Sequence, residues 1–241
     1  MKNRTSPTTS ARGGEPSRLF SAPISVAYWK TALSSLRSTR ILTTTALLCA
    51  LCALIDMFFV PVGGAFLRIY FSFLLAGLLC MISGPVLAIP AGLLVDTLSF
   101  LFSGGDPSGY FPGYALSAMC SYFIYALFFY RAKLSLSRLF CARLCVNVFI
   151  NVILGSVWKH ILYGNAYLVY FISGAVKNIA LLPAEAFLML VLYRRLVPVL
   201  KKASLVPAET ELSVSKRDYI ICAAATVLGI AVLILYYLYK N

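Results

Sequence analysis

The chain has 241 residues, 61% of them hydrophobic and only 12% charged, with a formal net charge of +13. Soluble domains are roughly half apolar, so this composition excludes an ordinary water-soluble domain and calls for lipid as solvent. The positive charge points to the Lys and Arg of cytoplasmic loops and not to nucleic acid, because no basic patch is interleaved with exposed aromatics in a soluble segment.

In chain order, residues 1–39 read as a cytoplasmic N-terminal tail. Its first 20 residues, rich in Ser, Thr, Arg and Pro, have the composition of disorder. The first apolar run begins near Ile41, too deep and too long for a cleaved signal peptide. Ile24 to Arg37 predicts a short interfacial helix with Tyr28 and Trp29 at headgroup level. A membrane helix needs about 20 apolar residues. The apolar runs are Ile41–Val60, Tyr70–Ile82, Pro85–Phe102, Tyr114–Tyr130, Leu139–Trp158, Tyr167–Tyr193 and Tyr219–Tyr239. The second and third are separated only by Ser83-Gly84-Pro85. One helix over both would be roughly 50 Å long at 1.5 Å per residue, so a hairpin is expected there. The fold class is thus an all-α polytopic membrane protein. A six-helix membrane domain spans 40–196, a cytoplasmic linker 197–218, and an extra transmembrane helix 219–241.

Basic residues orient the bundle. With a cytoplasmic N-terminus, the inner segments carry most of the Lys and Arg, Arg138, Arg143, Arg194 and Arg195 among them, while the outer segments carry Arg68, Lys159 and Lys240. That asymmetry is the positive-inside pattern. It turns the stretch SGGDPSGYFPGYALSA, Ser103 to Ala118, outward. Its aromatics suit an interfacial belt or a stacking surface, and its prolines and glycines fix a shape that a belt alone does not explain.

The chain has no P-loop, HExxH or GxSxG, and no paired carboxylates suited to hydrolysis, so it predicts no enzyme and no bound nucleotide cofactor. Its seven cysteines lie mostly inside apolar runs and His160 is the sole histidine, so no metal site is expected. Asp56, Asp96, Lys177 and Glu185 fall within the apolar spans, where charge is costly. Lys177 and Asp96 both land near mid-depth. Two readings stay open: a Lys177–Asp96 pair locking two helices, or a Lys177 that meets an anionic ligand. Glu185, nearer the cytoplasm, suits a structural or coupling role. Asn147 and Asn151 share a helix face with Trp158, facing either a neighbouring helix or an outward cavity shared with Phe111–Tyr114 and Lys177. Ala46 and Ala50 form a small-xxx-small pair that permits close helix approach.

Several of these pieces occur together in one known family. ISGPVLAIPAGLLVDTLSFLF, GYFPGYALSAMCSYFIYALFFYRAK and NVFINVILGSVWKHILYGNAYLVYFISGAVKNIALLPAEAFLMLVLY resemble the folate-family substrate-binding subunit (S component) of energy-coupling factor (ECF) vitamin transporters, over roughly residues 40 to 193. The resemblance implies a six-helix protein that binds a vitamin at the outer face of the bacterial cytoplasmic membrane. It would dock onto a transmembrane coupling subunit and two ATPases, which alone use ATP. Carried onto this chain, Phe111, Pro112, Gly113 and Tyr114 would cap the ligand, with Ser117 at the start of the helix below. Asn151 and Trp158 would supply a hydrogen bond and a stacking face. Lys177 and Asn178 would contact polar parts of the ligand, and Arg68 its carboxylates. Ala46 and Ala50 would dock the coupling subunit. Where the family has a basic residue shortly before its Lys-Asn pair, this chain has Gly174, and Lys159 or His160 would substitute. That departure leaves open another vitamin or a queuosine-type base as ligand. A membrane enzyme or scaffold, or a self-sufficient ion-driven transporter, are the readings from other classes.

Overall fold

The computed structural model describes residues 19, 25–61, 68–103, 109–164, 166–210 and 212–240. The predicted disordered stretch 1–20 lies, apart from Leu19, outside the described residues, as do 104–108 of the outward stretch. The elements are α1 Val26–Ser34, a 3-10 turn Ser35–Arg37, α2 Thr39–Asp56, β1 Phe59–Pro61, β2 Arg68–Tyr70, α3 Phe73–Phe102 and α4 Pro112–Phe129, followed by β3 Leu134–Ser135, α5 Leu136–Cys145, a π-helical segment Val146–Leu154, α6 Gly155–Tyr163, α7 Tyr167–Lys202, β4 Leu212–Ser213 and α8 Lys216–Lys240. Among the described residues, five helical stretches are long and apolar enough to cross a membrane: α2, α3, α4, the continuous α5–α6 and α7. The chain is an all-α, multi-pass membrane protein.

The third helix is broken at Gly84, whose φ of 76° and ψ of 171° are not helical. The Asp56 carboxylate at the end of α2 accepts hydrogen bonds from both Ser72 and Ser99. A straight helix would hold those serines about 40 Å apart, so the chain folds back at Gly84, as the short Ser83–Pro85 break predicts. The left-handed φ favours glycine, and a Cβ there would stand 3.0 Å from the Tyr130 ring. The descending arm starts at Phe73, not Tyr70, because residues 59–61 and 68–70 pair as a small antiparallel hairpin, Val60 opposite Ile69.

Other boundaries differ from the sequence reading for local reasons. Pro112, Gly113 and Tyr114 form the first turn of α4 and not a loop; Pro112 sits at the helix start, where its missing N–H costs nothing. Tyr28 of α1 is not turned out to headgroup level as the sequence reading placed it. Tyr28 is buried, donates to the Ala126 carbonyl at 3.2 Å and packs edge-on against Tyr130, tying α1 to the C-terminal end of α4. Helix α7 runs on to Lys202 despite Pro183 and Pro198. The segment after it is folded onto the bundle: Val206 and Thr210 are buried, β4 pairs in parallel with β3, and the Ala203 carbonyl accepts from Arg40. Helix α8 then returns along α7, with Arg194 over the Tyr219 ring and Gly229 against the Ala180 carbonyl.

The fold-back generates a stability prediction. Gly84→Ala forces a Cβ into a left-handed residue, which costs about 1–2 kcal/mol, and presses it against Tyr130. The detergent-solubilised variant is expected to unfold at a lower temperature than the parent; an unchanged midpoint would mean that Gly84 does not carry the turn.

Candidate functional site

Two groups of side chains meet where α4, the α5–α6 helix and α7 come together. The outer group is aromatic. Phe111, at the N-cap of α4, packs edge-on against Tyr114 and Trp158, each at 5.6 Å between ring centres. The Trp158 indole N–H donates to Ser117 Oγ at 2.8 Å, joining α6 to the second turn of α4. Tyr114 stays about one-third exposed. An indole and a tyrosine that keep part of their faces outside the packed core provide stacking area.

The inner group is amide and charge. Asn151 Nδ2 donates to Asn147 Oδ1 at 2.9 Å and lies 3.5 Å from Asn178 Oδ1. Asn178 Nδ2 donates to the Gly174 carbonyl at 2.8 Å. Asn147 Nδ2 donates to Glu185 Oε2 at 2.7 Å. Glu185 is clasped by Arg143, with Nη2 to Oε1 at 2.6 Å and Nε to Oε2 at 2.8 Å, while Arg143 Nη1 donates to the Tyr125 hydroxyl at 2.6 Å. The guanidinium also lies 4.0 Å over the Phe73 ring, so the fold-back helix closes the far side of the pair. Both asparagines of α5–α6 belong to the π-helical segment, a widened turn that is frequent at functional sites.

Arg143 corrects the sequence reading. It is not a cytoplasmic loop residue: α5 begins at Leu136, three residues before the predicted span, and Arg143 is 6% exposed inside the bundle. The Lys177–Asp96 lock is also not formed. Asp96 bonds with Tyr110. Lys177 interacts electrostatically with Lys159, Glu185 and Arg143 among the described residues. Lys159 and Lys177 are therefore near enough to feel one another's charge, while Gly174 contributes its carbonyl to Asn178.

The structure thus brings together Phe111, Tyr114, Ser117 and Trp158 in the outer group, and Asn151 and Asn178 in the inner one. Lys177 precedes Asn178 on α7, and Pro112 and Gly113 shape the start of α4. Arg68 opens β2, and its side chain lies outside the described residues. Ala46 and Ala50 are on the outside of α2, exposed and half-buried, whereas Cys49, Cys52 and Ala53 face the core. A cavity of about 150 Å³ on the flank between the π-helical segment and α7 is lined by Asn147, Asn178, Phe171 and aliphatic residues. Ligand pockets run to roughly 300–1,000 Å³. This cavity is smaller and touches none of the outer aromatics, so the aromatic–amide constellation is the better candidate.

No family model matches the chain. It is 33% identical over 132 residues to the folate transporter FolT of Clostridium novyi (strain NT), a match covering 54% of this chain and 75% of that protein. The chain belongs to the FolT family. A crystal structure of FolT bound with folic acid superposes with a TM-score of 0.57 at 27% identity, covering 63% of this chain and 91% of that one. The folate-family resemblance read from the sequence motifs is therefore correct, and the family is one of transporters, not enzymes. The rest of this chain lies outside the FolT match.

The buried pair at the base of this constellation makes a second prediction. Removing one partner of a buried ion pair strands the other charge and costs about 3–5 kcal/mol, whereas replacing both by apolar groups is far milder. Arg143→Met and Glu185→Met are each expected to destabilise the solubilised protein strongly, and the double variant less than either. Additive losses in a double-mutant cycle would contradict the coupling.

Proposed function

We infer that this chain is the folate-specific substrate-binding subunit of an ECF transporter. It would bind folate at the outer face of a bacterial cytoplasmic membrane, with its N-terminus in the cytoplasm. Family membership carries this reading, and the folic acid held by the related FolT structure gives the ligand class. The site chemistry supports it. A flat pterin suits the faces of Trp158, Tyr114 and Phe111; the glutamate carboxylates of folate suit the neighbouring charges of Lys159 and Lys177. Arg68 keeps the carboxylate-binding role that the resemblance gives it. Pro112 and Gly113 set the cap, Ser117 holds the Trp158 ring, and Asn151 and Asn178 offer polar atoms to the heterocycle.

The N-terminal orientation rests on basic residues. With Arg143 moved into the bundle, the inner segments still hold far more Lys and Arg than the outer ones. The chain carries no nucleotide-binding loop, so inward movement would depend on the coupling subunit and its two ATPases. The exposed Ala46 and half-buried Ala50 give that subunit a smooth face on α2, since small side chains allow close helix approach.

Two measurements test this. In proteoliposomes, folate uptake should require both the coupling module and ATP; uptake by the chain alone, driven by an ion gradient, would overturn the assignment. In the solubilised protein, Lys177→Met should weaken folic acid binding by about tenfold or more, the scale of a lost charged hydrogen bond, with little change in melting temperature. Trp158→Ala should weaken it comparably. Full affinity in both variants would place the ligand elsewhere.

A further inference from the structure

The asparagines at the floor of the site are not free to choose which end of the amide they show. A carboxylate held by a guanidinium at 2.6 and 2.8 Å only accepts hydrogen bonds. Asn147 must therefore turn Nδ2 to Glu185, which leaves its Oδ1 as an acceptor. Asn151 answers with Nδ2 at 2.9 Å. A second, longer and weaker contact acts from α7 in the same sense. The Gly174 backbone carbonyl only accepts, so Asn178 gives it Nδ2 and turns Oδ1 towards Asn151 Nδ2 at 3.5 Å. Both routes pull the same end of Asn151 inward. Its Oδ1 is the remaining pole, at an exposed residue, and has no partner among the described residues.

We propose that the Arg143–Glu185 pair, acting through Asn147, fixes the polarity of Asn151 so that it presents a hydrogen-bond acceptor to the ligand and selects an N–H donor on the edge of a heteroaromatic ring. This rests on the reading of the constellation as a folate site. Asn151 is then the specificity-determining contact, and Asn147, Glu185 and Arg143 are positioning residues. The design has a physical advantage. An asparagine whose amide can rotate end for end accommodates donor and acceptor edges alike, whereas one wired to a carboxylate rejects an acceptor edge, because two acceptors then face each other with no proton between them.

The test compares folic acid with two analogues that remove or invert an edge donor, 2-desamino-folic acid and 4-amino-folic acid, by equilibrium binding to the full chain in detergent. The wild-type chain is expected to bind at least one analogue about tenfold or more weakly, the scale of an unpaired buried polar group. Asn151→Leu, at an exposed position that tolerates change, should shrink that penalty to below about threefold. Asn147→Leu leaves the ion pair in place and should also shrink it, while Asn147→Ser, which can still donate to Glu185 and accept from Asn151, should restore part of it. A purely structural role would weaken all three ligands together and leave their ratio alone. No penalty in the wild type, or a penalty that Asn151→Leu leaves unchanged, would overturn the proposal. Failure of the wild type to bind folic acid at all would instead overturn the folate reading beneath it.

Discussion

The buried contact between Arg143 and Glu185 organises this protein. An ion pair inside a membrane bundle is tolerable only if every donor and acceptor around it is satisfied. That requirement recruits Tyr125 from α4, Asn147 from the π-helical segment and the Phe73 ring from the fold-back helix, so that four separate stretches of chain close on one charge pair. The asparagines above it inherit their orientation, and the aromatic group lies further out, beyond them. Removing the pair would therefore disturb the packing of the bundle and the chemistry of its outer face at once.

The same pair explains why α5 and α7 are placed as they are. Glu185 lies two turns beyond Asn178 on α7, so the helix presents an amide to the candidate site and a carboxylate to the bundle floor from one side. On the opposite helix, Arg143 and Asn147 are one turn apart and meet that carboxylate together. The π-helical widening from Val146 to Leu154 then lets Asn151 reach both Asn147 and Asn178.

Much of this was legible in the sequence because membrane solvation writes plainly. Apolar runs of about 20 residues gave the helices, the Ser83-Gly84-Pro85 break gave the fold-back, and the Asn147–Asn151 spacing gave a polar face. The motifs around Phe111–Tyr114, Trp158 and Lys177-Asn178 pointed to the family. What was not legible depends on partners distant in sequence. Arg143 looked like one more cytoplasmic arginine, since nothing local reveals that Glu185 waits for it on another helix. The mid-depth match of Lys177 and Asp96 suggested a pair, but depth says nothing about which way around the bundle each side chain points, and Asp96 turns to Tyr110. The polar composition after Lys202 read as a linker; its few apolar residues, Leu205, Val206 and Leu212, are enough to fold it onto the core. Apolar periodicity did not reveal the π-helical segment, because a pattern of apolar residues says nothing of whether each N–H reaches back four residues or five.

A folate-binding membrane protein of the FolT family should bind its ligand as an isolated chain. Calorimetric titration of folic acid into the purified wild-type chain in detergent tests it most directly. Tight, saturable binding at one site per chain is expected, accompanied by quenching of Trp158 fluorescence as the pterin stacks on the ring. Absence of saturable binding to folic acid and to its reduced forms would contradict it.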